Sequence, residues 1–176
     1  MYRKILNILL AIGLVIFQLG FISGLPGYLD SLNLVIIVLL FILVLGDLKT
    51  ALIWSLVAGL FIDLFSFTLF GLTLLSLNIT LFISYFLLVG FFTDRSLYSF
   101  LTLTFVATFS YEFILTLFNF MIKLFAGTSG PVDSGYYSSF IQELFINLIA
   151  AAALFQIVNY ISHKFKPVFL NKEKRI

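Results

Sequence analysis

Asp63 and Glu112 sit inside long apolar runs, and that placement is the first chemical signal in the chain. An ionisable side chain near the centre of a membrane helix costs about 2.5–3.5 kcal/mol even on insertion-derived scales, so each needs a reason to be there. Asp63 is the only charge between Thr50 and Thr93. Gly59 lies one turn before it on the same helix face, and Gly71 follows after a break in the apolar pattern. An aspartate near a helix end with flanking glycines marks a place where another backbone comes close. Asp63 can cap the following turn, bond a neighbouring helix, or take part in binding or proton movement. Of these, the first two ask less of the chain.

Glu112 belongs to a stripe. Thr104, Thr108, Glu112, Thr116, Asn119 and Lys123 recur at spacings of 4, 4, 4, 3 and 4. At about 100° per residue they fall within an arc of roughly 120°, so one side of their helix is polar through the bilayer. Threonine hydroxyls satisfy themselves on the carbonyl four residues back, which leaves Glu112 and Asn119 to find outside partners. Packing between helices is preferred here to an ion path. Near the C-terminus, Glu143, Asn147, Ala150 and Ala151 share one helix face, while Ala152, Gln156, Asn159 and His163 take nearly the opposite one. Small residues admit close helix approach and amides bond across helices, so this helix is expected to be sandwiched between neighbours. Gly20 and Gly24 form a further GxxxG pair.

Other chemistry lacks its residues. His163 is the only histidine and there is no cysteine, which is too few ligands for a transition-metal site. No HExxH, GxSxG or phosphate-cradling glycine loop occurs, so neither catalysis nor a cofactor is expected.

The elements that hold these residues follow from composition. Of 176 residues, 62% are hydrophobic and only 10% charged, and the mean hydropathy is +1.18. A water-soluble domain carries about 25% charged residues. This chain cannot cover itself with a solvated surface, which excludes a cytosolic enzyme, a nucleic-acid module and a secreted domain without disulfides. A β-barrel is excluded because the apolar runs do not alternate. Spanning helices of about 20 residues allow six spans with almost nothing left for a separate domain. The run from Thr50 to Thr93 would be about 66 Å long as one helix against a hydrocarbon core of roughly 30 Å, so it must fold back near Ser66–Gly71. The reading is an all-α integral membrane protein, a single six-helix domain over 1–163. Its spans lie near 5–22, 32–46, 51–65, 72–92, 97–125 and 140–161, with an extended loop at Gly127–Ser139 and a basic tail at 164–176. The first apolar run is longer than the 7–15 residues of a signal core and is expected to be retained.

Orientation follows from cations. With both termini inside, the inner segments hold Arg3, Lys4, Lys49, Arg95, Lys164, Lys166, Lys172, Lys174 and Arg175, against Lys123 alone outside. The tail mixes lysines with Phe165, Val168, Phe169 and Leu170, and should lie on anionic lipid at about 1 kcal/mol per cation.

The stretch GDLKTALIWSLVAGLFIDLFSFTLFGLTLLSLNIT, residues 46–80, resembles the rod-shape-determining MreD family. A glycine, an aspartate one turn on, a short break and a Gly-Leu entering the next helix appear here as Gly59, Asp63, Gly71 and Leu72. Ser66 and Phe67 stand where the family often has a second small residue. The resemblance implies a non-enzymatic scaffold of bacterial cell elongation in the cytoplasmic membrane. Such a subunit pairs with the single-span periplasmic protein MreC and couples MreB filaments to lateral peptidoglycan synthesis by a transpeptidase and a SEDS-type glycosyltransferase. The family's fold is similar to the substrate-binding subunits of energy-coupling-factor vitamin transporters, which is the rival reading. Those subunits need a polar and aromatic pocket near the outer surface. Tyr136 and Tyr137 are expected outside, but Trp54 is expected near the inner side.

Because the chain has no cysteine, topology is directly testable. A Ser129→Cys variant should react with an impermeant thiol reagent from outside, and Lys49→Cys only from inside. The reverse pattern would sink the orientation.

Overall fold

Asn33 and Asp47 each start a helix by receiving a backbone N–H that the helix itself cannot satisfy. The Asn33 Oδ1 accepts from Ile36 N–H at 3.3 Å and opens α2, Leu34–Leu45. The Asp47 carboxylate accepts from Thr50 N–H at 3.2 Å and from the Thr50 hydroxyl at 2.6 Å, opening α3, Leu48–Phe65. That hydroxyl is the main reason the exposed Asp47 carboxyl is held below its ordinary range. The other helices are α1, Tyr2–Gly20; α4, Leu72–Gly90; α5, Leu97–Phe125; and α6, Ser134–Lys164. Two 3-10 turns, Ile22–Gly24 and Gly27–Ser31, link α1 to α2. The computed structural model describes residues 2–66, 69–91, 96–125 and 134–164, and among these every element is helical. The side chains of Tyr136, Tyr137 and His163, most of the expected 127–139 loop, and the tail beyond Lys164 lie outside the described residues.

Helices α3, α4, α5 and α6 pack in sequence order, α1 packs on α3, and α2 touches all five others. It is therefore the centre of the bundle, with α1, α3, α4, α5 and α6 around it. Among the described residues α1 makes no contact with α6; the 3-10 turns bridge them instead. We call the end where α1 and α3 finish and α2 and α4 begin the head.

Among the described residues five helices are long and apolar enough to cross a membrane, which is the architecture of a helical membrane protein. The sixth, α2, has 12 residues, about 18 Å of helix, and is shorter than the expected 32–46 span. Its burial explains how a short helix is tolerated. Val35, Ile36, Ile37, Leu39, Leu40, Leu43 and Val44 are all buried against other helices, so α2 does not have to match the lipid thickness. At the other end of the chain, helix replaces expected loop. α6 begins at Ser134, six residues before Phe140, and Ser134–Ser139 contains no proline that would prevent it. α6 also runs on to Lys164, so the expected tail starts inside a helix.

Lipid offers apolar surfaces no reason to leave it, so helices associate through close packing and hydrogen bonds. The crossings show this. Ala11, Ala51, Ser55, Ala58, Ala107 and Ala151 are fully or almost fully buried. Large apolar residues such as Ile16, Leu64, Phe86, Phe113 and Ile149 face outward and are exposed.

Candidate functional site

The first part of the site is the turn between α3 and α4. Helix α4 starts without a polar side chain at its own N-cap, which is Gly71. Its early N–H groups are nevertheless all accounted for. Leu72 N–H goes to the Leu69 carbonyl at 3.3 Å and Leu75 N–H to the Gly71 carbonyl at 2.9 Å. The remaining donors converge on Asp63, the last buried residue of α3. Its Oδ1 accepts from Thr73 N–H at 3.0 Å, and its Oδ2 accepts from Gly71 and Leu74 N–H, each at 3.0 Å. A carboxylate at a helix N-terminus also meets the positive end of the helix dipole. Asp63 is therefore a cap reached from another helix, and 97% of its surface is covered.

Two glycines make that reach possible. Gly71 has φ +97°, a left-handed conformation that a residue with a Cβ adopts only at a cost. Gly59 lies where the α3 backbone passes close to that of α4. A Cβ built there would come 2.5 Å from the Leu74 Cα, a backbone atom that cannot move aside alone. Farther from the head, the Ser55 hydroxyl donates to Asn78 Oδ1 at 2.9 Å, and Asn78 Nδ2 donates to the Leu74 carbonyl at 2.7 Å. Leu72 is buried directly behind Gly71. Gly59, Asp63, Gly71 and Leu72 thus form a single structural unit.

The second part is a polar cluster around the start of α2. Asn33 N–H donates to Asn147 Oδ1 at 2.8 Å, and Asn33 Nδ2 donates to Glu143 Oε1 at 3.3 Å. Asn147, fully buried, turns its Nδ2 to the Thr108 hydroxyl at 3.2 Å. Gln18 of α1 holds the same turn from the other side. Its Nε2 donates to the Leu32 carbonyl at 2.7 Å, and its Oε1 accepts from Leu34 N–H at 3.0 Å. The Glu143 carboxyl also hydrogen-bonds Glu112 and Asn147. The buried Tyr111 bonds the Thr73 side chain and lies near Glu143, Glu112 and Asp63, so the two parts of the site are neighbours.

Thr108, Glu112, Glu143 and Asn147 are therefore brought together as expected from their helix faces, and Asn119 is not: it is exposed on α5. Thr104 and Thr116 bond their own carbonyls at 2.9 and 2.8 Å, to Phe100 and Glu112. Thr108 departs from that pattern by taking Asn147. The amide faces of α6 separate as the helical wheel requires: Asn147 is buried, while Gln156 and Asn159 are exposed. Asn33, Gln18 and Tyr111 carry no spacing motif and were not foreseen. The one available signal was Asn33 standing just before an unbroken apolar run, the position of an N-cap.

Comparison with known proteins finds no matching family model, no similar curated protein and no similar solved structure.

Thermal unfolding of the purified protein should rank substitutions in the turn by what they do to the backbone. Asp63→Asn keeps a carbonyl oxygen for two of the three donors and should cost about 1–3 kcal/mol. Gly59→Leu forces α3 off α4 and should leave little folded protein; overpacking of milder kinds already costs about 1–3 kcal/mol. If Asp63→Asn proves the more damaging, close packing is not what the turn is for. In the cluster, Asn147→Leu strands both Asn33 N–H and the Thr108 hydroxyl, and should cost about 2 kcal/mol or more in the same assay.

Proposed function

We propose that this chain is a non-enzymatic membrane scaffold subunit of the bacterial cell-elongation machinery, of the MreD kind. In this reading it is a multi-pass protein of the cytoplasmic membrane with both termini inside. It pairs with an MreC-like periplasmic scaffold and through it couples MreB filaments to the elongation transpeptidase and a SEDS glycosyltransferase. The observation that carries the reading is the fate of Gly59, Asp63, Gly71 and Leu72. The residues on which the resemblance rests are spent on joining two helices and capping one of them. A motif of that kind keeps a bundle in shape for partners; it does not turn over a substrate.

A second reading, the substrate-binding subunit of an energy-coupling-factor-type vitamin transporter, is favoured by one feature. The polar cluster of Asn33, Glu112, Glu143 and Asn147 lies toward the head, which is the outer end under the proposed orientation. Its groups, however, are directed at one another and at the start of α2.

Purification from native membranes in mild detergent separates the two. Recovery of a single-span protein with a periplasmic coiled coil is the expected result. An ATPase pair together with a tightly held vitamin would overturn the scaffold reading in favour of the transporter. In a rod-shaped host depleted of its own scaffold subunit, the wild-type chain should restore rods and Gly59→Leu should leave round cells.

A further inference from the structure

Helix α6 has a second marked face, and the bundle leaves it unused. Ala152, Gln156 and Asn159 follow one another at spacings of four and three, which places them within about 60° of one another around the helix. Gln156 and Asn159 are exposed, and among the described residues neither amide has a hydrogen-bond partner. Phe145 and Ile149 continue the same side toward the head and are exposed as well. Asn147, which is fully buried, points nearly the opposite way.

These amides lie inside the span. The apolar stretch of α6 runs from Ser138 to Tyr160. Phe155, beside Gln156, stacks on Phe100 of α5 with ring centroids 5.9 Å apart, so the bundle is still packed at that level. Lys164 stands eight residues farther on, about 12 Å of helix. Between the two amides, Ile157 and Val158 are exposed apolar side chains. An amide that meets hydrocarbon is unsatisfied, and in membrane helices such groups are held by bonding across to another helix.

We propose that two copies of this chain pair through this face of α6, about a two-fold axis normal to the membrane. Complementarity picks out the occupant. Every copy inserts in the same orientation, so two α6 helices that meet run parallel, with Gln156 facing Gln156 at one depth. An amide carries two donors and a carbonyl oxygen that accepts. Gln156 of each copy can therefore donate to the other and accept from it, and Asn159, one turn nearer the inner end, can do the same. A helix of a different protein would need its own amides at that depth; a second copy has them by construction. Ala152 and its exposed neighbour Ala153, one turn toward the head, are small enough to let two backbones approach. The contact uses the same patch on both copies and closes at two, which gives a dimer rather than an open chain. The pairing does not depend on the function proposed above.

The test is disulfide cross-linking of single-cysteine variants of the full chain, which has no cysteine of its own, reconstituted alone in liposomes at a high lipid-to-protein ratio. Ala152→Cys should form disulfide-linked dimers several-fold faster than Gly13→Cys, whose site on α1 is also exposed and meets no neighbouring atom. Adding Gln156→Leu to Ala152→Cys should slow dimer formation to the Gly13→Cys rate. Position 156 faces outward, so the fold should survive, as thermal unfolding of that variant checks; Asn159→Leu, with the same slowing expected, serves if it does not. Ala152→Cys linking no faster than Gly13→Cys would overturn the pairing, and is the result expected if a helix of another protein covers this face. So would fast linking that a folded Gln156→Leu variant leaves unchanged.

Discussion

A helix that begins within an apolar protein must find partners for its first N–H groups without help from water. Helix α4 finds them on Asp63, and much of the bundle is arranged so that it can. The carboxylate can accept from Gly71, Thr73 and Leu74 only if the end of α3 and the start of α4 are nearly in contact. That contact in turn requires Gly59 opposite the Leu74 backbone and a left-handed residue at Gly71. Once made, it sets the register of the hairpin, so that Ser55 meets Asn78 farther along. The insertion cost of a charge is thereby matched against hydrogen bonds that each contribute about 1.5–3 kcal/mol when the acceptor is ionised.

The same logic explains why α3 presents a small or polar residue every fourth position. Ala51, Ser55, Gly59 and Asp63 form its buried face, with Ala58 beside them. With no hydrophobic gain available in lipid, backbone proximity is what makes dispersion contacts and hydrogen bonds between helices possible. Helix α2 solves the problem differently. It is all large aliphatic and Phe side chains, and it gains dispersion contact on every side because five helices surround it. What α2 lacks is any polar side chain to fix its rotation or height. Its head end is positioned instead from outside, by Gln18 from α1 and by Glu143 and Asn147 from α6. The centre of the bundle is apolar, and its placement is polar.

Much of this was legible in the sequence, for identifiable reasons. Charges and glycines punctuate the apolar runs, so helices α1, α3, α4 and α5 could be placed to within a few residues. The break at Ser66–Gly71 followed from length alone. Gly59, Asp63 and Gly71 were readable because their spacing is local, one turn and one loop. Residues whose partners are distant in sequence were not readable. Asn33 and Asn147 are 114 positions apart, and Gln18 reads as one polar residue in an apolar helix until the start of α2 is seen to pass it. Asn119 was misgrouped because a helical wheel takes no account of helix ends. Tyr111 meets the first turn of α4, and α5 continues 14 residues past it to Phe125. Among the described residues its last turns outrun α3 and α4, and Asn119 there is exposed. The start of α6 was misplaced because Gly, Ser and Tyr read as loop.

The groups that look most like chemistry also bear on function through what they are bonded to. A ligand site keeps some polar groups aimed at a space where the ligand will sit. Here Asp63 is spent on three backbone donors, Asn147 on Asn33 and Thr108, and Glu143 on Asn33, Asn147 and Glu112. Removing any one of them would strand a buried donor or acceptor on a different helix, so damage at one helix passes to its neighbours. A bundle coupled in this way behaves as one body, and a partner that grips any of its outer helices acts on the whole. That property serves a scaffold. An alternating-access transporter subunit would instead need at least one helix whose polar contacts could be exchanged for a second set, and α2, held at its head by three side chains from two helices, is poorly placed to be that helix.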